Sequence, residues 1–186
     1  MDSMYRMKSN AQAGRSKTTA GNARKTAGKG RASPDVPTTG PRVRVGQSGV
    51  HGKGVFARRP IEPGQVVMEY RGEVITWKEA LRRHPHDPDD PNHTFYFHID
   101  DTHVIDGKRL GNAAKWINHA CDPNCEAEEV DGRIFIRALR PLAPGEELFY
   151  DYGLFIDGRH TAKLKKQFAC HCGSPLCRGT MLAPKR

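Results

Sequence analysis

Gly111-Asn112-Ala113-Ala114-Lys115-Trp116-Ile117-Asn118-His119-Ala120-Cys121-Asp122-Pro123-Asn124-Cys125 is the stretch on which the reading of this chain turns. Asn112–Ile117 has the composition of one short helix, and Asn118, His119 and Cys121 then set an amide, an imidazole and a thiol within four positions. Downstream, Gly145-Glu146-Glu147-Leu148-Phe149-Tyr150-Asp151-Tyr152-Gly153 places two tyrosines around an aspartate after a Gly-Glu-Glu turn. A lone aromatic is ordinarily core, but this order of residue types is rare. Upstream, Val50-His51-Gly52-Lys53-Gly54-Val55-Phe56-Ala57 has two glycines around one residue, which lets backbone approach a ligand. A tight turn is the ordinary reading. The third glycine and long helix of a dinucleotide-binding turn are missing. Glu69-Tyr70-Arg71-Gly72-Glu73-Val74 reads by itself as a strand with a glycine break.

Around these segments, short strand-like runs alternate with turn signals. Strands are expected at Arg42–Val45, Val55–Ala57, Val66–Tyr70, Glu73–Thr76, Thr94–Ile99, His103–Ile105, Glu126–Val130, Arg133–Leu139 and Leu148–Tyr150. Turns fall at Pro63-Gly64, Asp106-Gly107, Asp131-Gly132 and Pro144-Gly145. Helical signals are few: Trp77–Arg83, stopped by Pro85, then Asn112–Ile117 and Thr161–Phe168. The Pro- and Asp-rich His84–Asn92 reads as a loop. Many short strands at this spacing predict a mainly β domain of small sheets.

The basic character is uneven. The chain carries a net charge of +9, and residues 1–40 supply +6 of it, eight Lys and Arg against Asp2 and Asp35. That stretch has too few apolar residues to offset its ordering entropy, so 1–41 is expected to be a disordered basic tail. Such a tail contacts DNA or an acidic partner through charge, and a generic solvated tail is the ordinary alternative. No apolar run approaches the ~20 residues of a membrane helix, so no membrane partner is expected. The early Arg6 and Lys8 are not followed by an apolar stretch, which argues against a secretory signal. An intracellular protein is expected: cytoplasm or nucleoid if bacterial, with nucleus or host chromatin as the alternative. All five cysteines lie late, an odd number that argues for metal over a disulfide framework. Cys170-His171-Cys172-Gly173-Ser174-Pro175-Leu176-Cys177 offers three thiolates, one short of the tetrahedral set zinc favours. His171 or Cys125 could complete it, or there is no metal.

Together the four segments resemble the SET methyltransferase family. In its signature an Arg-aromatic-Ile-Asn-His-Ser-Cys run precedes Pro-Asn; here Lys115 stands for Arg, Trp116 for Phe or Tyr, and Ala120 for Ser. The resemblance covers roughly residues 42–152. It implies a SET-type fold of small curled β-sheets, in which a pseudoknot brings the third segment under the fourth. Its domain plan would be a SET domain at 42–153 and a C-terminal flank at 154–186, with a post-SET zinc segment near 166–182. It implies S-adenosylmethionine and zinc as cofactors and transfer of a methyl to a protein lysine, with a histone-like tail as the expected substrate. His51, Gly52, Lys53, Gly54, Asn118 and His119 would hold the donor, with Cys172 near its adenine side. Tyr152 would orient the amine. Tyr150 would set methyl number, with monomethylation expected and dimethylation as the alternative. Cys121 would be the fourth zinc ligand beside Cys170, Cys172 and Cys177.

One departure stands out. The family often has Tyr where Phe95 falls, so either Tyr96 substitutes through a register change or the channel of Phe95 and Tyr96 differs. Two rival readings remain: a catalytically silent SET module binding a basic peptide or nucleic acid, and a zinc-dependent nucleic-acid binder. In the tail, Ala23-Arg24-Lys25-Thr26-Ala27-Gly28-Lys29-Gly30 has histone-tail character, so Lys25 is a candidate for methylation by the enzyme itself.

Overall fold

The computed structural model describes Arg6–Met7 and residues 40–84, 95–156 and 159–184. In chain order the elements are β1 (Arg6–Met7), β2 (Val43–Gln47), β3 (Lys53–Ala57), β4 (Val66–Tyr70), β5 (Glu73–Thr76), α1 (Trp77–Arg83), β6 (Tyr96–His98), β7 (His103–Asp106), a 3-10 turn (Ala113–Trp116), β8 (Asn118–His119), β9 (Cys125–Val130), β10 (Arg133–Ala138), β11 (Phe149–Tyr150), β12 (Leu154–Phe155) and α2 (Ala162–Gln167). The expected disorder of the tail falls almost wholly outside the described residues. Within it, Arg6–Met7 pair with β12, because main-chain pairing at an open strand edge needs no apolar side chain.

The sheets are small, as the spacing of turn signals predicts: β4-β10-β9, β5-β7-β6, β2-β3, β11-β8 and β1-β12. All pairs are antiparallel except β8 with β11. The Asp131-Gly132 turn closes the β9–β10 hairpin with φ of 51° and 75° at its two residues, the positive pair a two-residue hairpin turn requires. Thr76 caps α1 by accepting from the Glu79 N–H at 3.2 Å, and the Thr161 hydroxyl does the same for α2 with Leu164.

The main core joins Val55, Ile61, Phe97, Ile105, Ile117, Ile134, Ile136, Leu142, Leu148 and Tyr150. A second cluster of Ile75, Ala80, Tyr96 and Val104 lies under α1. A third, Leu154, Ile156, Phe168 and Leu182, belongs to the C-terminal flank. Residues that anchor this flank, such as Phe168 at 1% exposure, each contribute about 1.5–3 kcal/mol of burial. No helix among the described residues is long and apolar enough to cross a membrane.

Glu69, on β4, receives Arg133 of β10 at 2.8 Å and Arg71 at 2.8 Å. These hydrogen bonds, Arg133 first, hold its carboxyl at about 2. A depressed folded pKa means that the unfolded chain takes up the proton first as pH falls. The stabilisation is therefore complete above about 4.5 and disappears as the pH drops toward about 2. Glu69→Gln is expected to lower the urea midpoint at neutral pH and to match the wild-type chain near the acid end. An equal deficit at every pH would contradict this.

Candidate active site and cysteine cluster

The site is built where β8 lies against β11, in parallel, with Phe149 opposite Asn118 and Tyr150 opposite His119. The approach to β8 is fixed by Asn112. Its side chain caps the 3-10 turn through the Ala114 N–H at 3.2 Å and donates to the Glu69 carbonyl at 2.7 Å. The segment is thus pinned to β4 before it turns. Asn124 holds the far side: its amide donates to the Glu147 carbonyl at 2.8 Å, and its oxygen accepts from the Phe149 N–H at 2.8 Å. Two short-range asparagine clamps therefore bring distant stretches of chain into register.

Asn118 is buried, and its amide donates to the carbonyls of His51 at 3.3 Å and Lys53 at 2.9 Å, and to the Glu147 carboxylate at 3.1 Å. It thereby holds the His51–Lys53 loop in place. Gly52 adopts φ +47°, with nothing within 4 Å of where its Cβ would be, so this loop presents backbone to open space. Gly54 is different: a Cβ there would run into the Glu147 carboxylate. The Lys53 ammonium sits 4.7 Å from the centre of the Trp116 ring. An exposed left-handed glycine with an aromatic face beside it suits a ligand with both polar and flat parts.

His119 receives the Tyr152 N–H at Nδ1, 3.1 Å away, so its ring proton lies on Nε2, which points at Cys121 Sγ at 3.4 Å. Burial holds this imidazole at about 4, Asp151 pulling up and Arg178 down, so it is neutral near pH 7. Both ring nitrogens are engaged within the protein. The Tyr152 hydroxyl donates to the Ile117 carbonyl at 2.9 Å. Its ring lies 5.0 Å from Tyr150 and 5.3 Å from His119, and Tyr150 lies 6.1 Å from Phe97. Tyr70 extends the group, 5.1 Å from Phe97, and donates to the Phe95 carbonyl at 2.9 Å. Burial raises the phenols of Tyr70, Tyr150 and Tyr152 well above the usual value, so all three stay protonated.

The channel expectation needs one correction. Tyr96 does not shift register to join this group. It turns into the second core cluster, and its hydroxyl donates to the Ala80 carbonyl at 3.2 Å. Strand alternation puts Phe97 against Tyr150 instead. Phe95 lies beside Trp116, ring centres 5.2 Å apart, with the Lys115 ammonium 5.7 Å from its own ring centre.

Cys121, Cys170, Cys172 and Cys177 bring four sulfurs within 4.8 Å of one another. Cys121 is 3.6 Å from Cys170 and 4.0 Å from Cys177. A tetrahedron with bonds of about 2.3 Å has edges near 3.8 Å, so the donor set fits a zinc-sized thiophilic ion. Burial raises the Cys121 and Cys170 thiols. For Cys172 burial also acts upward, but N–H donors of Cys121 and Ser174 outweigh it and bring it to about 7. Cys125 is apart, fully buried in the main core with its thiol pushed up to about 12 by burial. His171 is exposed and outside the cluster. Arg178 forms a two-pronged ion pair with Asp151, at 2.8 and 2.9 Å, tying the cysteine segment to the residue between the two tyrosines. Sequence reasoning passed over Arg178, Glu147, Asn112, Tyr70 and Phe97. A cap-forming Asn before a helical run was the one available signal, for Asn112.

A mainly β domain whose tyrosine strand runs beside an Asn-His strand, with a four-cysteine clip at its end, has the architecture of a SET-type fold. A SET domain model matches residues 52–153, and the chain belongs to that family. It is 38% identical over 146 residues, 75% of its length, to "Histone-lysine N-methyltransferase ATX2" of Arabidopsis thaliana, covering 13% of that protein. It is 38% identical over 140 residues to "Histone-lysine N-methyltransferase trithorax" of Drosophila melanogaster, covering 73% of this chain and 4% of that one. The same identity and length hold for "Histone-lysine N-methyltransferase 2B" of Homo sapiens, 73% of this chain and 5% of that protein. The chain thus spans a small fraction of the length of these relatives.

Proposed function

We propose that this chain transfers a methyl group from S-adenosylmethionine to a lysine side chain of a basic, histone-like protein. Residues 42–153 would form the catalytic domain and 154–186 a zinc-clipped flank. The observation that carries this reading is the parallel register of β8 on β11, which sets Tyr150 opposite His119 and lets the Tyr152 N–H reach the same imidazole. Relatives named histone-lysine N-methyltransferases support it.

The sulfonium donor supplies an electrophilic methyl whose bonding pair returns to sulfur. The backbone of His51, Gly52 and Gly54 and the side chain of Lys53 would hold it, on a loop that Asn118 pins from behind. His119 acts through Tyr152 and Cys121, which it holds in place. A lysine with an unperturbed pKa of about 10.4 must first lose a proton. A wall of Tyr70, Phe97, Tyr150 and Tyr152 disfavours the ammonium by desolvation. Because the Tyr152 hydroxyl spends its hydrogen on Ile117, its oxygen keeps lone pairs to accept from the amine. A rigid aromatic wall restricts the approach angle, which is worth several kcal/mol in a two-body displacement.

Zinc would be held by Cys121, Cys170, Cys172 and Cys177. It would tie the flank to the turn that follows β8 and stabilise that end by linkage. The basic tail would add contact with DNA through charge. That expectation and the Lys25 candidate lie outside the described residues.

A peptide array read by mass spectrometry tests the proposal. Methylated lysines in basic peptides are expected, carrying mostly one methyl, since the Tyr150 hydroxyl occupies the space a further methyl needs. Tyr150→Phe is expected to shift the product toward two or three methyls, with total transfer within about tenfold of wild type, the scale of about 1.4 kcal/mol. An unchanged methyl number would remove Tyr150 from that role.

A further inference from the structure

Charge in this chain is sorted by region. Residues 42–153 carry 15 Lys and Arg against 18 Asp and Glu, a net charge of −3. The flank reverses the sign: between 159 and 184 stand Arg159, Lys163, Lys165, Lys166 and Arg178, and no Asp or Glu. Arg178 is spent on Asp151. The other four are exposed. Three of them stand on α2, whose inward side is Leu164, followed by the buried Phe168. Among the described residues no carboxylate pairs with Lys163, Lys165 or Lys166. Lys165 and Lys166 complement the helix C-terminus. Lys163 does not: it lies in the first turn, where the dipole opposes a cation, and one turn from Lys166, a like-charge pair that destabilises a helix. The helix is charged beyond what its own stability favours, and an external polyanion relieves that repulsion.

Packing places this basic face near the tyrosines. Leu164 and Tyr152 both pack on the cluster of Leu154, Ile156, Phe168 and Leu182. A partner gripped along α2 is thus one layer of core from the Tyr152 ring. A basic peptide is repelled by this face and drawn to the net-negative domain instead. Duplex DNA has the opposite character, a dense and regular array of phosphates. Single-stranded nucleic acid is held largely by stacking on exposed aromatic rings. The one Phe, Tyr or Trp between 159 and 184 is Phe168, only 1% exposed. We infer that Arg159 and the α2 lysines form a docking surface for the phosphate backbone of duplex DNA, and that through it the enzyme takes lysines of basic proteins already lying on DNA. The docking stands without the methyl-transfer reading; the choice of substrate rests on it. Contacts to phosphate carry no base information, so the docking is independent of DNA sequence.

The test titrates the full zinc-loaded chain onto a fluorescent duplex of mixed sequence, by anisotropy, over a range of salt. Each phosphate contact adds about 0.9 to the slope of log K against log salt. The triple variant Lys163→Gln, Lys165→Gln, Lys166→Gln is expected to make that slope shallower by about 2.7 and to weaken binding at least tenfold at low salt. Its zinc content and melting temperature should match the wild-type chain. The basic N-terminal residues are the same in both proteins, so their contribution cancels. Lys78→Gln, exposed on α1, should leave the slope unchanged. A slope that the triple variant does not alter would overturn the docking surface. Tighter binding to single-stranded RNA than to the duplex would overturn the choice of partner. Transfer of labelled methyl is then compared on one basic protein, free and bound to DNA. The ratio of bound to free transfer should fall at least tenfold in the triple variant, and an unchanged ratio would overturn the choice of substrate. A shallower slope with no transfer by the wild-type chain to either form would remove the methyl-transfer reading and leave the docking surface standing.

Discussion

Tyr152→Phe is expected to lower methyl transfer by about 10²–10³-fold, the range seen when one aligned polar group is removed from a reacting centre. The ring would stay. It packs between Tyr150 and His119, and its main-chain N–H still reaches the His119 imidazole. What disappears is the hydroxyl that bonds Ile117, the residue just before Asn118. Losing that bond leaves one carbonyl unpaired, at a cost of about 1–3 kcal/mol of stability. The fold should therefore survive while the rate collapses, and donor affinity should change little. A variant that keeps its rate would show that the hydroxyl only braces the pocket.

Cys121→Ser is expected to have the second large effect. Cys121 is the one member of the cysteine cluster contributed from beside the Asn-His strand; the other three come from the flank. Zinc content should fall from one per chain to a small fraction. Structural zinc contributes about 10–16 kcal/mol of binding free energy in small zinc-folded peptides, so losing a quarter of the proposed ligand set is expected to unclip the flank. Transfer should drop by more than about 100-fold, since the flank also holds Asp151 through Arg178. The main core, which includes Cys125 but none of the four, should still unfold cooperatively. Cys125→Ala is the contrast: zinc retained, with a cost of about 1 kcal/mol for a small cavity. Equal zinc loss in both would contradict the assignment of ligands.

Most strands were legible because they are four to six residues long with turn signals between them. Val66–Tyr70, Glu73–Thr76 and Trp77–Arg83 fall where the pattern puts them. The elements that build the site were the least legible. β11 falls within the expected strand Leu148–Tyr150, but β8 and β12 are two residues each, too short for any alternation to register, and they exist because tertiary pairing holds them. The predicted helix at Asn112–Ile117 is a single 3-10 turn, because Asn118 must already be extended to meet β11. The cysteine cluster was readable as three ligands by spacing. The fourth came from family resemblance, because Cys121 lies 49 residues before Cys170. Arg178 gave no signal, since an arginine beside a cysteine says nothing until Asp151 is placed opposite it.

The most direct test is whether the purified, zinc-loaded chain moves a labelled methyl from S-adenosylmethionine to a lysine nitrogen of isolated core histones. Site-resolved tandem mass spectrometry gives the answer. Label on lysine side chains that vanishes with Tyr152→Phe is the result expected. Protein that binds the donor yet leaves every lysine unlabelled would contradict the account, and the module would then be one that only holds a peptide.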